Sequence, residues 1–234
     1  MAGQLIYAVG DVHGRYDLLR RLLAAIAEDA GAHAGRPTLI LLGDYVDRGP
    51  ASAEVLTALC WLRRESGARL HLLKGNHEAL MLDALNDPAT MPRWLAVGGD
   101  ATLKAYGIDA DDGEPEALRD RLLDAMPASH LRLLQSLELS VEIGDYFFVH
   151  AGIRPGTPIA RQKAEDLIWI RDPFLTGSGA LEKRIVHGHS WTSDKPHIDE
   201  RRIGVDTGAW KTGVLTAVRL HERSERILTA RQEP

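Results

Sequence analysis

The stretch LLGDYVDRGP, residues 41–50, places two carboxylates and a guanidinium directly after a run of aliphatic side chains. The apolar run, TLILL at residues 38–42, has the length of a β-strand buried on both faces, as in a sheet covered by helices. Asp44, Asp47 and Arg48 therefore follow the carboxyl end of a predicted strand. In open α/β sheets, ligands bind at this end of the strands.

Four further apolar runs end in the same way, in a cluster of polar side chains. They are LIYAVGDVHG at 5–14, LHLLKGNHEA at 70–79, YFFVHAGI at 146–153 and RIVHGHS at 184–190. Amphipathic helical patterns at residues 15–31 and 50–67 separate the first three strands. This alternation predicts βαβ units and an α/β fold whose parallel strands end at one edge. The polar clusters should therefore meet there.

The rest of the chain has a different pattern. Residues 86–137 are polar and are interrupted by prolines and glycines, which indicates a helical insertion within a single domain that spans residues 1–234. Residues 137–152 predict a hairpin that turns at Gly144 and Asp145. The C-terminal short strands predict a second, more antiparallel sheet.

Composition excludes several classes of protein. The formal net charge of -5 argues against binding to nucleic acid or to an anionic membrane through a basic surface. No apolar stretch approaches the roughly 20 residues needed to span a bilayer, and the N-terminus has no basic leader. We therefore expect a cytoplasmic protein with no nucleic-acid or membrane partner. Its oligomeric state is left open.

The polar clusters contain oxygen and imidazole donors that suit a pair of divalent ions such as Mn²⁺, Fe or Zn²⁺. The candidate ligands are Asp11, His13, Asp44, Asn76, His150 and His189. A carboxylate has two oxygens and can bridge two cations, and Asp44, from the middle cluster, is the candidate bridge. A pair of such ions polarises a phosphoryl oxygen and activates a water molecule.

Asp47, Arg48 and His77 in these clusters, and Arg171 outside them, are poor ligands but useful catalytic groups. His77, paired with Asp47, could give a proton to the leaving oxygen of a phosphoester. Arg48 and Arg171 carry planar guanidinium groups that match phosphate oxygens. The stretch at 41–50 thus combines a metal bridge, a histidine partner and a phosphate ligand.

The motifs GDVHG, GDYVDRG, GNHE, HAG and GH, together with LIWIRDPF at 167–174, resemble the signature of the phosphoprotein-phosphatase family of metallophosphoesterases. The resemblance implies a four-layer α/β/β/α sandwich and a dinuclear centre, usually with manganese in bacterial members. It assigns Asp11, His13 and Asp44 to one metal. It assigns Asp44, Asn76, His150 and His189 to the other. It also assigns Arg48, Asn76 and Arg171 to phosphate, and His77 with Asp47 to protonation of the leaving group.

Three functions are compatible with these motifs. The first is hydrolysis of phosphomonoesters on protein serine or threonine. The second is cleavage of dinucleoside polyphosphates such as diadenosine tetraphosphate, because bacterial hydrolases of that kind share most of these motifs. Those hydrolases typically have alanine at the position of Asp47 and aspartate at that of Glu78, so this sequence favours the phosphatase. The third is a non-catalytic metal-binding scaffold, which would have little reason to keep His77 and both arginines.

Overall fold

The computed structural model describes residues 3–111 and 113–233. The strands are β1 (Leu5–Val9), β2 (Thr38–Leu41), β3 (Arg69–Leu72), β4 (Ser140–Ile143), β5 (Tyr146–Val149), β6 (Arg184–His187), β7 (His197–Ile198), β8 (Arg202–Gly204), β9 (Val214–His221) and β10 (Ser224–Arg231). The helices are α1 (Tyr16–Gly31), α2 (Ser52–Glu65), α3 (Asn76–Asn86), α4 (Met91–Trp94), α5 (Asp100–Ala105), α6 (Pro115–Ala125), α7 (Ala128–Gln135), α8 (Ala164–Trp169) and α9 (Ala209–Thr212).

Two five-stranded sheets form the centre of the molecule. The first has the order β10-β9-β1-β2-β3, in which β1, β2 and β3 are parallel. The second has the order β4-β5-β6-β8-β7, in which β5, β6 and β8 are parallel. The hairpin of β4 and β5 pairs Ile143 with Tyr146, as the turn at Gly144 and Asp145 predicts.

The packing of β1 shows how the layers arise. Its side chains alternate between two faces, so that Leu5, Tyr7 and Val9 pack with α1 and α2 while Ile6 and Ala8 pack between the two sheets. In the second sheet Phe148 points to the inter-sheet core and Phe147 to the outer core that includes α8. The predicted α/β/β/α sandwich is therefore confirmed.

Two details of the predicted sheets are wrong. The C-terminal strands β9 and β10 do not join the second sheet, because β9 pairs antiparallel with β1 and extends the first sheet. The strand β3 is not buried on both faces, since it lies at the edge of its sheet and only Leu72 is buried within it. An apolar pattern does not indicate which edge of a sheet is free for pairing.

Between β3 and β4 all regular elements of the described residues are helical, from Asn76 to Gln135. His130 of α7 is buried and bonds Thr57 of α2 and Tyr106 after α5, which ties these helices to the first sheet's outer layer. The single-domain organisation stays a prediction. None of the described helices has the length and apolarity needed to cross a membrane.

Candidate active site

The predicted site residues follow the carboxyl ends of strands in both sheets, and the two sheets meet at these ends. The imidazole of His150, after β5, lies 2.9 Å from the carbonyl oxygen of Leu42, after β2. The backbone N–H of Gly188, after β6, donates to the carbonyl of His150. One rim therefore collects the polar clusters from both sheets, as expected when parallel strands end at one edge.

The backbone at this rim adopts unusual conformations. Asp44, Asp47 and Arg48 have φ values of 51°, 71° and 68°, and His13 and His189 also have positive φ. Left-handed backbone is uncommon for residues other than glycine and concentrates at functional sites, where the surrounding structure holds it. At this rim, the left-handed conformation directs each of these side chains away from the strand and into the site.

Glu78 holds the loop that carries Asp44. Its carboxylate, fully buried, accepts the backbone N–H groups of Asp44 (2.9 Å), Tyr45 (2.7 Å) and Gly75 (2.9 Å). Gly75 must be glycine, because a Cβ there would collide with the Asp44 carboxylate. The motif GNHE thus shapes the neighbouring motif GDYVDRG by hydrogen bonds.

Replacing Glu78 by alanine should destabilise the fold. We expect Glu78→Ala to lower the free energy of unfolding by about 3 kcal/mol or more, because three buried N–H groups would lose their acceptor. Urea denaturation followed by circular dichroism measures the change. The exposed Glu28 on α1 offers a matched control, and Glu28→Ala should change stability by less than about 0.5 kcal/mol. Equal losses in the two variants would contradict this account of Glu78.

Asp44 lies at the centre of two groups of possible metal ligands. One group is His13, Asp44 and His77, and the other is Asp44, His150 and His189, with the ligand atoms of each group within 4.8 Å of one another. The two carboxylate oxygens point different ways. Oδ2 lies 3.5 Å from Nε2 of His13, and Oδ1 lies 3.4 Å from Nε2 of His150. This geometry is what a bridging carboxylate needs, and the bridging role stays a prediction.

The hydrogen bonds of the imidazoles direct their lone pairs into the site. Nδ1 of His13 donates to the carbonyl of Val46 at 2.8 Å, and Nδ1 of His150 donates to that of Leu42, which leaves each Nε2 as an acceptor. Nε2 of His150 lies 3.1 Å from Oδ1 of Asn76, a distance at which a protonated imidazole donates to the amide oxygen. Nε2 of His189 is buried, with no hydrogen-bond partner among the described residues. In neutral imidazoles these Nε2 atoms are acceptors and can bind a divalent cation, although Nη1 of Arg48 also lies 2.9 Å from that of His13.

The electrostatics of the site also favour a cation. Burial lowers the pKa of His150, but the charge of Asp44, with Asp11 and Glu78, outweighs it and raises that pKa to about 10. Burial opposes ionisation of Asp44, yet the neighbouring His150 and His77 hold the pKa of its carboxyl well below the usual range. Carboxylates buried this closely stabilise positive charge, whether on an imidazolium or on a metal ion.

Asp11 lies beside this centre but in neither group of described ligand atoms. Both of its oxygens accept the backbone N–H of His189, at 3.1 and 3.0 Å. Gly188 allows this approach, because a Cβ there would collide with the Asp11 carboxylate. Burial raises the pKa of Asp11, and the nearby charge of Asp206 raises it further. The predicted ligand role of Asp11 stays a prediction.

The predicted catalytic pair is in contact. Nδ1 of His77 lies 2.7 Å from Oδ2 of Asp47, and both side chains are buried. Asp47 is held by Oγ1 of Thr102 at 2.7 Å and Nε1 of Trp94 at 3.0 Å, two donors from the helices after β3. Burial lowers the pKa of His77, but Asp44 and Asp47 outweigh it, so the pKa is raised. Sequence reasoning missed Trp94 and Thr102, because nothing in the local pattern links them to Asp47.

The two predicted phosphate ligands lie at different depths. Arg48 places its two terminal nitrogens 2.9 Å from Nε2 of His13 and 2.9 Å from Nε2 of His77. Arg171 is exposed, and its guanidinium lies 3.5 Å from the carbonyl of His189. Arg48 thus lies within the site, whereas Arg171 lies at its edge. Their roles toward phosphate stay predictions.

The chain is similar to known phosphoesterases. Residues 5–209 match the family model described as calcineurin-like phosphoesterase. The chain is 30% identical to serine/threonine-protein phosphatase 2 of Escherichia coli, over 90% of each chain. It is 28% identical to the symmetrical bis(5'-nucleosyl)-tetraphosphatase of Methylococcus capsulatus, over 95% of this chain and 68% of that protein. The solved structure of a cold-active protein-tyrosine phosphatase from a psychrophilic Shewanella species shares the fold. Its TM-score is 0.61 at 20% identity, over 96% of this chain and 80% of that one.

Proposed function

The chain belongs to the calcineurin-like phosphoesterase family and is a metal-dependent phosphoesterase, and we propose that its substrates are phosphoserine and phosphothreonine side chains of proteins. The observation that carries this proposal is the buried contact between His77 and Asp47. A serine or threonine alkoxide is a poor leaving group and needs a proton donor, whereas a nucleotide leaves more readily. A buried carboxylate-histidine pair supplies that donor.

The ligands proposed for two divalent ions are Asp11, His13, Asp44, Asn76, His150 and His189. Imidazole, amide and carboxylate donors together suit manganese, which we propose, and also iron or zinc. When bound, the ions supply Lewis acidity toward the phosphoryl group and a water activated for attack. The buried Nε2 of His189, which has no partner among the described residues, and the adjacent Nε2 of His150 and Oδ1 of Asn76 support this ligand set.

The protein's own groups complete the reaction. His77 in its protonated form donates from Nε2 to the leaving oxygen, while Asp47 fixes the ring through Nδ1 and stabilises the imidazolium. Arg48, together with Arg171 and Asn76, binds the phosphoryl oxygens and disperses their charge. In this structure Nη2 of Arg48 contacts Nε2 of His77, so a phosphoryl group would compete for this N–H donor and free Nε2.

The second candidate function is hydrolysis of dinucleoside tetraphosphates, which the Methylococcus relative supports by its name and its 95% coverage of this chain. Two residues oppose it. At the positions of Asp47 and Glu78, such hydrolases typically have alanine and aspartate, respectively. In this chain both residues are held by several hydrogen bonds. Asp47 has four side-chain contacts, with His77, Trp94 and Thr102. Glu78 accepts three short hydrogen bonds from backbone N–H groups. A non-catalytic scaffold is the least supported function.

A direct comparison of substrates tests the proposal. The purified chain with Mn²⁺ is assayed with a phosphoserine or phosphothreonine peptide and with diadenosine tetraphosphate. We expect a kcat/KM for the phosphopeptide at least about tenfold higher, because the Asp47-His77 pair assists the poorer leaving group. A preference of similar size for the dinucleotide would reject the phosphatase and support the alternative. Location in the cytoplasm and the absence of nucleic-acid and membrane partners stay predictions.

A further inference from the structure

The Arg48 guanidinium has no carboxylate within ion-pair distance in residues 3–111 and 113–233. Its terminal nitrogens contact two imidazoles instead, and its backbone N–H donates to the carbonyl of Gly98 at 3.0 Å. Gly98 has a φ of 109°, and a Cβ there would lie 2.8 Å from Cγ of Arg48. Gly98 therefore packs closely against the backbone and Cγ of Arg48. The guanidinium has no carboxylate partner and can bind an incoming anion.

The guanidinium is covered by a tryptophan. Cζ of Arg48 lies 5.4 Å from the ring centroid of Trp210, within the range of a cation–π contact. Trp210 belongs to the short helix α9, which lies between two left-handed glycines, Gly208 and Gly213. Arg15 anchors this helix, since its Nη1 donates to the carbonyl of Ala209 at 3.0 Å.

Trp210 is not a core residue. Its exposed fraction is 37%, so a large apolar side chain stands partly in solvent next to a predicted phosphate ligand. The rest of its side chain is buried, so Trp210 also contributes to packing. Among the described residues, Arg48 is the cation that lies over its ring.

We infer that Trp210 is a positioning residue that holds the Arg48 guanidinium ready for the phosphoryl group. This inference rests on the proposed role of Arg48 in phosphate binding. A free arginine side chain loses rotamer freedom when it binds an anion, and a stacked one has lost part of it beforehand. The planar guanidinium stacks on an aromatic face while its N–H groups stay available at its edge. Trp210 therefore strengthens phosphate binding without contacting the substrate.

The test measures phosphate affinity apart from the leaving group. Inorganic phosphate, which has none, serves as a competitive inhibitor of p-nitrophenyl phosphate hydrolysis. In Trp210→Ala we expect KM and the inhibition constant of phosphate to rise together by about fivefold. The value of kcat should change by less than about twofold, since a uniform loss of binding raises KM alone. Trp210→Phe should restore most of the affinity. Trp210→Leu, which keeps apolar bulk without an aromatic face, should not.

Two controls make the outcome decisive. Trp61 on α2 is 54% exposed and lines a cavity with Pro37 and Ala68, which precede β2 and β3 at the edge opposite the rim, so Trp61→Ala should behave as the wild type. In an Arg48→Ala background, Trp210→Ala should add no further loss, as expected when one residue acts through the other. An unchanged inhibition constant, full rescue by leucine, or additive losses would each overturn the inference. A wild type that rejects phosphopeptides would reject the proposed substrate and leave this test standing, because it uses p-nitrophenyl phosphate and inorganic phosphate.

Discussion

Asp44→Asn is expected to abolish activity and to reduce the metal content of the protein. The substitution keeps the size of the side chain but replaces one carboxylate oxygen by an amide nitrogen, which cannot ligate a cation. Asp44 lies between both groups of ligand atoms, so both proposed ions would lose a shared anionic ligand. We expect kcat/KM to fall by about 10³-fold or more, because metal ions contribute several kcal/mol of transition-state stabilisation.

The measurement pairs an assay with a metal count. Metal per chain, determined by plasma mass spectrometry after gel filtration, should fall from about two ions in the wild type with Mn²⁺ to one or none in the variant. The exposed Asp124 on α6 provides a control, since Asp124→Asn removes the same charge away from the rim. Two tightly bound ions in Asp44→Asn would show that Asp44 is not the bridge.

His77→Asn is expected to lower kcat for a phosphoserine peptide by about 10²–10⁴-fold, the usual contribution of a general acid. The loss should be smaller with p-nitrophenyl phosphate, because p-nitrophenolate is a stable anion that needs less help in leaving. His77 also lies in one group of possible ligand atoms, through Nε2 at 3.9 Å from Oδ2 of Asp44. Metal content should nevertheless stay at the wild-type value if His77 serves as the acid. Loss of an ion would make it a ligand instead.

The pH dependence of kcat is an independent test of the proposed role of His77. The acid form of His77 is the active one, so kcat should be full below its pKa and fall as pH rises through it. The carboxylates of Asp44 and Asp47 raise this pKa, and Asp47 does so through its direct contact with Nδ1. Asp47→Asn removes one of these charges and should move the fall to lower pH. An unchanged pH profile in Asp47→Asn would show that Asp47 does not raise the pKa of the catalytic acid.

Much of the site could be predicted from the sequence because its residues sit at strand ends. Apolar runs bounded by glycine locate the strands, and parallel strands joined by helices must end at one edge. Hence the sequence alone predicts that Asp11, Asp44 and Asn76 lie at one rim. The hairpin at Gly144 was equally accessible, since its turn is decided by neighbouring residues.

Contacts between distant segments could not be predicted in this way. Trp94 and Thr102 bind Asp47 across 47 and 55 residues, and no period or turn signal encodes such a pairing. The stacking of Trp210 on Arg48 spans a still longer separation.

The sequence by itself therefore determined the α/β class, the strand ends and the chemistry of the candidate ligands, because these depend on local patterns and on the donor atoms of each residue. Only the tertiary structure decided that β9 pairs with β1, that Glu78 holds the Asp44 loop, and that Trp94 and Thr102 hold Asp47. The physical reason is that edge pairing and buried hydrogen bonds are selected by the packing of the whole chain, where each buried polar group must find a partner.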